Sequence, residues 1–147
     1  MEKNFIRKLF NEHQNTRKSP SPKIVSSWVE KLLAILFPGA CEINFTSESE
    51  IEQFLNQLKI DLSSLILCDA AIDKKKIVKS FFDYLSNIKT LLDKDIDGIF
   101  QGDPAAKSYD EITRSYPGFY AIASHRIAHI LFNLDVELIP RMISELS

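Results

Sequence analysis

Asp103 is the residue whose type and setting offer chemistry most directly, standing in Gln101-Gly102-Asp103-Pro104-Ala105-Ala106. A residue before proline is biased away from helical backbone angles, so Asp103 can cap a new turn with Pro104 at its first position. Such a cap contributes about 1 kcal/mol. It does not exclude a second task, because a carboxylate at the mouth of a cleft can neutralise a substrate ammonium through a charge-assisted hydrogen bond. His125 and His129, in Ser124-His125-Arg126-Ile127-Ala128-His129, stand four apart on one helical face, the spacing of two metal ligands on a helix. No HExxH pattern occurs and no cysteine lies nearby, so no metal is assigned. The neighbouring Ile127, Ala128 and Ile130 point instead to imidazoles hydrogen-bonded within or beside a packed interface. His13 lies in a polar terminal segment and carries no signal. Arg126 is placed to pair with an acidic side chain of a neighbouring helix or to cap a carbonyl. Tyr109, Tyr116 and Tyr120 read as core or interface aromatics with the hydroxyl satisfied at an edge. Spacing alone assembles no Ser–His–Asp or Cys–His set, so no catalytic residue is assigned in this chain.

These residues need a scaffold, and the composition describes one. A chain of 147 residues with 45% apolar and 26% charged side chains is long enough for one domain, 1–147, with a real core. The formal charge is −2, with 18 basic and 20 acidic residues interspersed, which argues against nucleic acid and against an anionic membrane surface. The longest apolar run, Leu32-Leu33-Ala34-Ile35-Leu36-Phe37, falls far short of the roughly 20 residues of a membrane span. The first residues mix Lys3, Arg7 and Lys8 with Glu2 and Glu12 and lack the apolar stretch of a secretory signal, which makes the cytoplasm the default address. Cys41 and Cys68 have no partner at metal spacing and are expected as reduced, partly buried thiols. Only 4 glycines leave little material for hairpin turns, so the chain reads as all-α.

The expected architecture is a bundle of about six to eight helices. Phe5, Ile6, Leu9 and Phe10 mark a short amphipathic helix, and Ser21-Pro22 starts a second, closed by Pro38-Gly39. Ser47 and Glu50 form a capping box for a third, which Ile60 to Leu67 continue or restart. Asp73 is the cap of a fourth helix through Ile77, Phe81 and Leu85, and Ile88 to Phe100 make a fifth, with Gly102 as its C′ glycine. Ser108 and Glu111 form a second capping box for a short helix to about Ser115. Pro117-Gly118 breaks the chain again, and Phe119 to Asn133 follows as a mostly buried helix. An apolar pattern around Pro140 is still running at Ser147.

The Asp103-Pro104-Ala105-Ala106 turn, the Tyr116-Pro117-Gly118-Phe119 break and the His125-Arg126-Ile127-Ala128-His129 helix together resemble the N-terminal helical domain of the serine O-acetyltransferases. The resemblance is clear from about Phe81 onward, whereas residues 1–71 agree only as generic amphipathic helices. It implies a parent enzyme that converts acetyl-CoA and L-serine to O-acetyl-L-serine and CoA in cysteine biosynthesis. In that family the helical domain precedes a left-handed parallel β-helix of hexapeptide repeats, which supplies the histidine base and the coenzyme A surface. Neither repeat nor base is present, so the resemblance implies an inactive segment ending near the linker, with no cofactor bound in it. Acetyl-CoA is then the cosubstrate of the parent enzyme. Residue by residue, one role carries over: Asp103 as the contact to the serine amino group. The family also implies homo-oligomers built as a dimer of trimers, for which the apolar surface of Phe5, Ile6, Leu9, Phe10 and the second helix is the expected place. Any complex with an O-acetylserine sulfhydrylase would run through an absent tail. The alternative is a stand-alone, non-catalytic helical module for oligomerisation or interaction.

Overall fold

Apolar residues at three- and four-residue spacing fold the chain, among the described residues, into eight α-helices and one 3₁₀ turn, with no strand. The computed structural model describes residues 2–16, 18–40, 42–67 and 73–146. Cys41, Cys68 and Ser147 lie outside the described residues, so the expected burial of both thiols lies outside them too. The helices are α1 (Lys3–Asn15), α2 (Pro22–Leu36), α3 (Glu48–Leu65), α4 (Lys74–Asp83), α5 (Leu85–Gly102), α6 (Tyr109–Ser115), α7 (Pro117–Asn133) and α8 (Ile139–Glu145). The 3₁₀ turn, Pro38–Ala40, follows α2.

The helix starts are set by short polar side chains. Ser21 Oγ accepts from the Ile24 N–H at 3.4 Å, Ser47 Oγ from Glu50 at 3.2 Å, Asp73 Oδ1 from Lys76 at 3.2 Å and Ser108 Oγ from Glu111 at 3.1 Å. Both capping boxes form with one change from the standard pattern. The Glu50 carboxylate reaches past the cap residue to the Thr46 N–H at 2.8 Å, and Glu111 reaches the Lys107 N–H at 2.8 Å. The run from Ile60 continues α3 without a restart. Gly102 is not the left-handed C′ glycine expected of it. It is the last helical residue of α5, and no described glycine has positive φ. The helix ends because the next residue, Asp103, precedes a proline and is extended. Likewise Pro117 does not break the chain but opens α7, the break falling on the extended Tyr116.

α2 lies at the centre, against α3, α8 and the 3₁₀ turn, while α7 packs on α8, α5 and α6, and α4 joins α3 to α5. Trp28 of α2 ties the first layer together. Its Nε1 donates to the Leu58 carbonyl of α3 at 3.0 Å, and its ring lies 5.6 Å from that of Phe81 in α4. Around them Leu32, Leu62, Ile88, Leu92, Ile127 and Leu131 are fully buried. A second aromatic pair, Phe37 and Phe119 edge to face at 5.2 Å, fastens the end of α2 to α7. The apolar side of α2 is therefore core rather than outer surface. α7 is buried on one side only, through Phe119, Ala123, Ile127 and Leu131, and leaves Ile122, His125, His129 and Phe132 exposed. α1 is different again: it buries none of its residues, and Phe5, Ile6 and Phe10 are 51%, 52% and 61% exposed.

Ser124 is fully buried on α7, and among the described residues its hydroxyl meets no hydrogen-bond partner. An unsatisfied buried hydroxyl costs about 1–3 kcal/mol of desolvation. Ser124→Ala, which removes the oxygen and little else, is expected to raise unfolding stability by about 1 kcal/mol. Urea denaturation followed through Trp28 fluorescence checks this, and a loss of stability would show that the hydroxyl has a partner.

Candidate functional site

Asp103 takes its position from the end of α5. Its N–H donates to the Ile99 carbonyl at 3.0 Å, closing the helix, and its backbone then turns extended at φ −115° and ψ 104°. Pro104 has no N–H to offer, so Asp103 Oδ1 accepts from the Ala105 N–H at 2.9 Å, while its carbonyl accepts from Ala106 at 3.1 Å. Asp103 thus caps a tight turn and not a helix; the next helix waits for Ser108.

The other carboxylate oxygen is held from across the chain. Tyr116 Oη donates to Asp103 Oδ2 at 2.8 Å. Tyr116 sits at the junction of α6 and α7, where it also precedes a proline and is extended at φ −88° and ψ 108°. Its N–H closes α6 on the Ile112 carbonyl at 3.2 Å. Two pre-proline residues at two helix junctions therefore face each other. The N–H of Ala105 and the hydroxyl of Tyr116 hold the Asp103 carboxyl below its ordinary value of 3.8. The same bond to Asp103 pushes the Tyr116 phenol up to about 12. Near neutral pH the pair is one carboxylate and one neutral phenol, a fixed single negative charge. A carboxylate offers about four acceptor positions, and these two bonds use two, so the half-buried group can still accept from a cation.

The remaining candidates stand elsewhere. Arg126 grips Asp95 of α5 with Nε–Oδ2 at 2.6 Å and Nη2–Oδ1 at 2.8 Å, the expected pairing with a neighbouring helix, which clamps α7 to α5. His125 and His129 stack with ring centres 6.2 Å apart, and His129 Nε2 lies 3.2 Å from Asn133 Nδ2. Both rings are exposed and not set in a packed interface, the buried Ile127 and Ala128 facing inward beside them. Among the described residues, no three of His, Cys, Asp and Glu gather as a metal could require. Tyr109 lies against Phe100 at 4.9 Å, and the nearby Asp97 carboxylate raises its phenol. The contact between Tyr116 and Asp103 was not foreseen. The signal for it was the shared X-Pro step, which makes both residues extended and able to face one another.

No family model matches this chain. A plasmid-encoded serine acetyltransferase of Synechococcus elongatus is 43% identical over 72 residues, covering 49% of this chain and 23% of the relative. The chain is related to the serine acetyltransferases. The native serine acetyltransferase 1 of Entamoeba histolytica superposes with a TM-score of 0.69 at 28% identity, covering 88% of this chain and 48% of that one. The same enzyme in complex with L-cysteine gives a TM-score of 0.69 at 26% identity, covering 95% and 54%. The chain thus spans about a quarter of that curated relative and about half of the acetyltransferase chains whose folds it shares. Among the described residues no helix is long and apolar enough to cross a membrane.

The Asp103–Tyr116 pair has a readable titration. The carboxyl of Asp103 is depressed in the fold, so its contribution to stability is present above the unfolded value near 3.8 and is lost as pH falls through the lower folded one. The phenol of Tyr116 is raised, so its contribution is complete below the ordinary value of 10.0 and is lost as pH climbs towards about 12. Tyr116→Phe is expected to raise the Asp103 midpoint while leaving the turn intact, as read from the carboxyl carbon shift by NMR. An unmoved midpoint would mean that the hydroxyl does not reach the carboxylate in solution.

Proposed function

We propose that this chain is the helical part of a serine O-acetyltransferase, in which Asp103 holds the ammonium of L-serine. The observation that carries the reading is the fixed, ionised, half-buried carboxylate of Asp103, tied at one oxygen by Ala105 and at the other by Tyr116, in a relative of those enzymes. In the reaction, the serine hydroxyl oxygen bonds to the acetyl carbon of acetyl-CoA, the carbon–sulfur bond breaks, and the hydroxyl proton passes to the departing thiolate. A carboxylate at the amino group takes no part in those bonds. It orients the substrate and holds it through a charge-assisted hydrogen bond. The base and the coenzyme A surface belong to the β-helix of such enzymes, so the segment by itself is inactive. L-cysteine presents the same ammonium, so the same carboxylate would receive it.

The second role is assembly. α1 has an apolar face that buries nothing among the described residues; Lys3, Arg7 and Lys8 lie in its first half, with Glu2 at its N-cap, and Glu12 lies in its second half. An antiparallel partner α1 from a second copy would cover Phe5, Ile6, Leu9 and Phe10 and set Glu12 against the basic end. A helical module that only assembles would show this association without any use for Asp103.

Two measurements separate the roles. Asp103→Asn keeps an oxygen for the Ala105 N–H but removes the charge. In an acetyltransferase carrying this segment it is expected to raise KM for serine about ten-fold or more, with KM for acetyl-CoA within about two-fold. Unchanged serine dependence would leave Asp103 only its role in the turn. For assembly, light scattering behind size exclusion is expected to give a mass above one chain, falling when Phe5 and Phe10 are both replaced by Ser while helicity elsewhere persists. A wild-type chain that stays monomeric at about 100 μM would dismiss the α1 pairing.

A further inference from the structure

A cavity of about 780 Å³ opens where α2 passes the end of α3 and the first residue of α4, within the size range of small-molecule sites. Its floor is apolar, with Trp28 and Leu65 buried there. Among the described residues its lining includes four lysines, Lys18, Lys23, Lys31 and Lys74, and one acidic residue, Asp61. In a chain of net charge −2, that is a local excess of positive charge, which favours an anion over a cation at this opening.

Lys18, Lys23 and Lys31 are exposed at the rim of the cavity. Lys8, Lys79 and Lys89 each pair with a carboxylate four residues further on. Among the described residues, Lys18, Lys23 and Lys31 have no such pair. Lys74 Nζ donates to the Ser63 carbonyl at 3.2 Å, which fixes its ammonium in the wall, and Asp61 is engaged by Gln57 Nε2 at 2.8 Å. Along α2, Lys23, Ser27 and Lys31 follow at four-residue spacing, so one helix face presents two cations and a hydroxyl to the same opening. The first turn of α2, with its partial positive charge, starts at Pro22 between Lys18 and Lys23.

We propose that this cavity binds a small organic anion with a short apolar body, its headgroup among Lys18, Lys23 and Lys31 and its hydrocarbon against Trp28 and Leu65. Both halves are needed: the floor gives a polar ion nothing, and the lysines give a neutral hydrocarbon nothing. The site shares no residue with the Asp103 turn, so it stands or falls apart from the serine reading.

Trp28 is the only tryptophan in the chain and lines the cavity, which gives a direct reporter. The 147-residue chain is titrated with hexyl phosphate while Trp28 emission is followed, with calorimetry as a second readout. A saturable change is expected, with Kd below about 1 mM. Hexanol and inorganic phosphate, each lacking one half of the ligand, should bind at least about ten-fold more weakly. The exposed double variant Lys23→Glu with Lys31→Glu should weaken hexyl phosphate by about ten-fold or more, whereas Lys8→Glu on α1 should leave it within about two-fold. Circular dichroism checks that each variant keeps its helices. No saturation up to about 10 mM, equal binding of hexanol, or equal binding by the charge-reversed variant would overturn the proposal.

Discussion

The hydroxyl of Tyr116 donates to the carboxylate of Asp103 across two helix junctions, and that bond depends on a constraint shared by both residues. Each precedes a proline. Clash with the proline ring removes the helical conformation from both, so α5 ends at Gly102 and α6 ends at Ser115 whatever the preference of the residues before them. The freed backbone then turns outward on each side, and the two side chains meet. Without the prolines the apolar pattern of α5 and α6 could run on, and the carboxylate would lie on a helix surface like any other aspartate.

The bundle keeps this meeting point from drifting. The Arg126–Asp95 clamp and the Phe37–Phe119 pair hold α7 to α5 and to the end of α2. α6 is pressed against the 3₁₀ turn at Gly39, where a Cβ would come within 3.0 Å of Asp110 Oδ1 and 3.1 Å of Thr113 Oγ1. A side chain there would push Asp110 and Thr113 aside by a few tenths of an ångström, so the glycine serves close approach and not an unusual backbone angle. With α5, α6 and α7 fixed to one another, the Asp103 carboxylate is oriented before any ligand arrives, and preorganisation of that kind lowers the entropy cost of holding a small cation.

Most of the helical plan was legible because it is local. Ser21, Ser47, Asp73 and Ser108 cap the helices that their positions announce, since a cap involves only residues within one turn. What depended on distant contacts was not legible in the same way. The face of α2 reads as amphipathic in isolation, and the packing of α3, α8 and the 3₁₀ turn around it makes it core. The exposure of His125 and His129 follows from which side of α7 meets α5 and α8, a choice the helical period alone leaves open. Gly102 misled because a glycine at a helix end usually marks the left-handed cap, whereas the stop is imposed one residue later by Asp103-Pro104. For Asp103 the residue was legible and its geometry only half so: the turn follows from Asp-Pro, but the Tyr116 bond spans 13 residues and needs the folded junction.

α1 poses the opposite problem, since its helix is legible and its partner is not. A helix of 13 residues with no buried side chain lies near the limit at which an isolated helix is stable in water. Its backbone bonds and the Lys8–Glu12 pair, at 3.9 Å and well exposed, contribute little toward offsetting the entropy of ordering it. The apolar face is the one large reserve, and it stabilises the helix only when something covers it. On the α1 pairing proposed above, helix formation in α1 and association of copies are a single equilibrium, and the helicity of residues 3–15 should rise with chain concentration in step with the mass of the assembly.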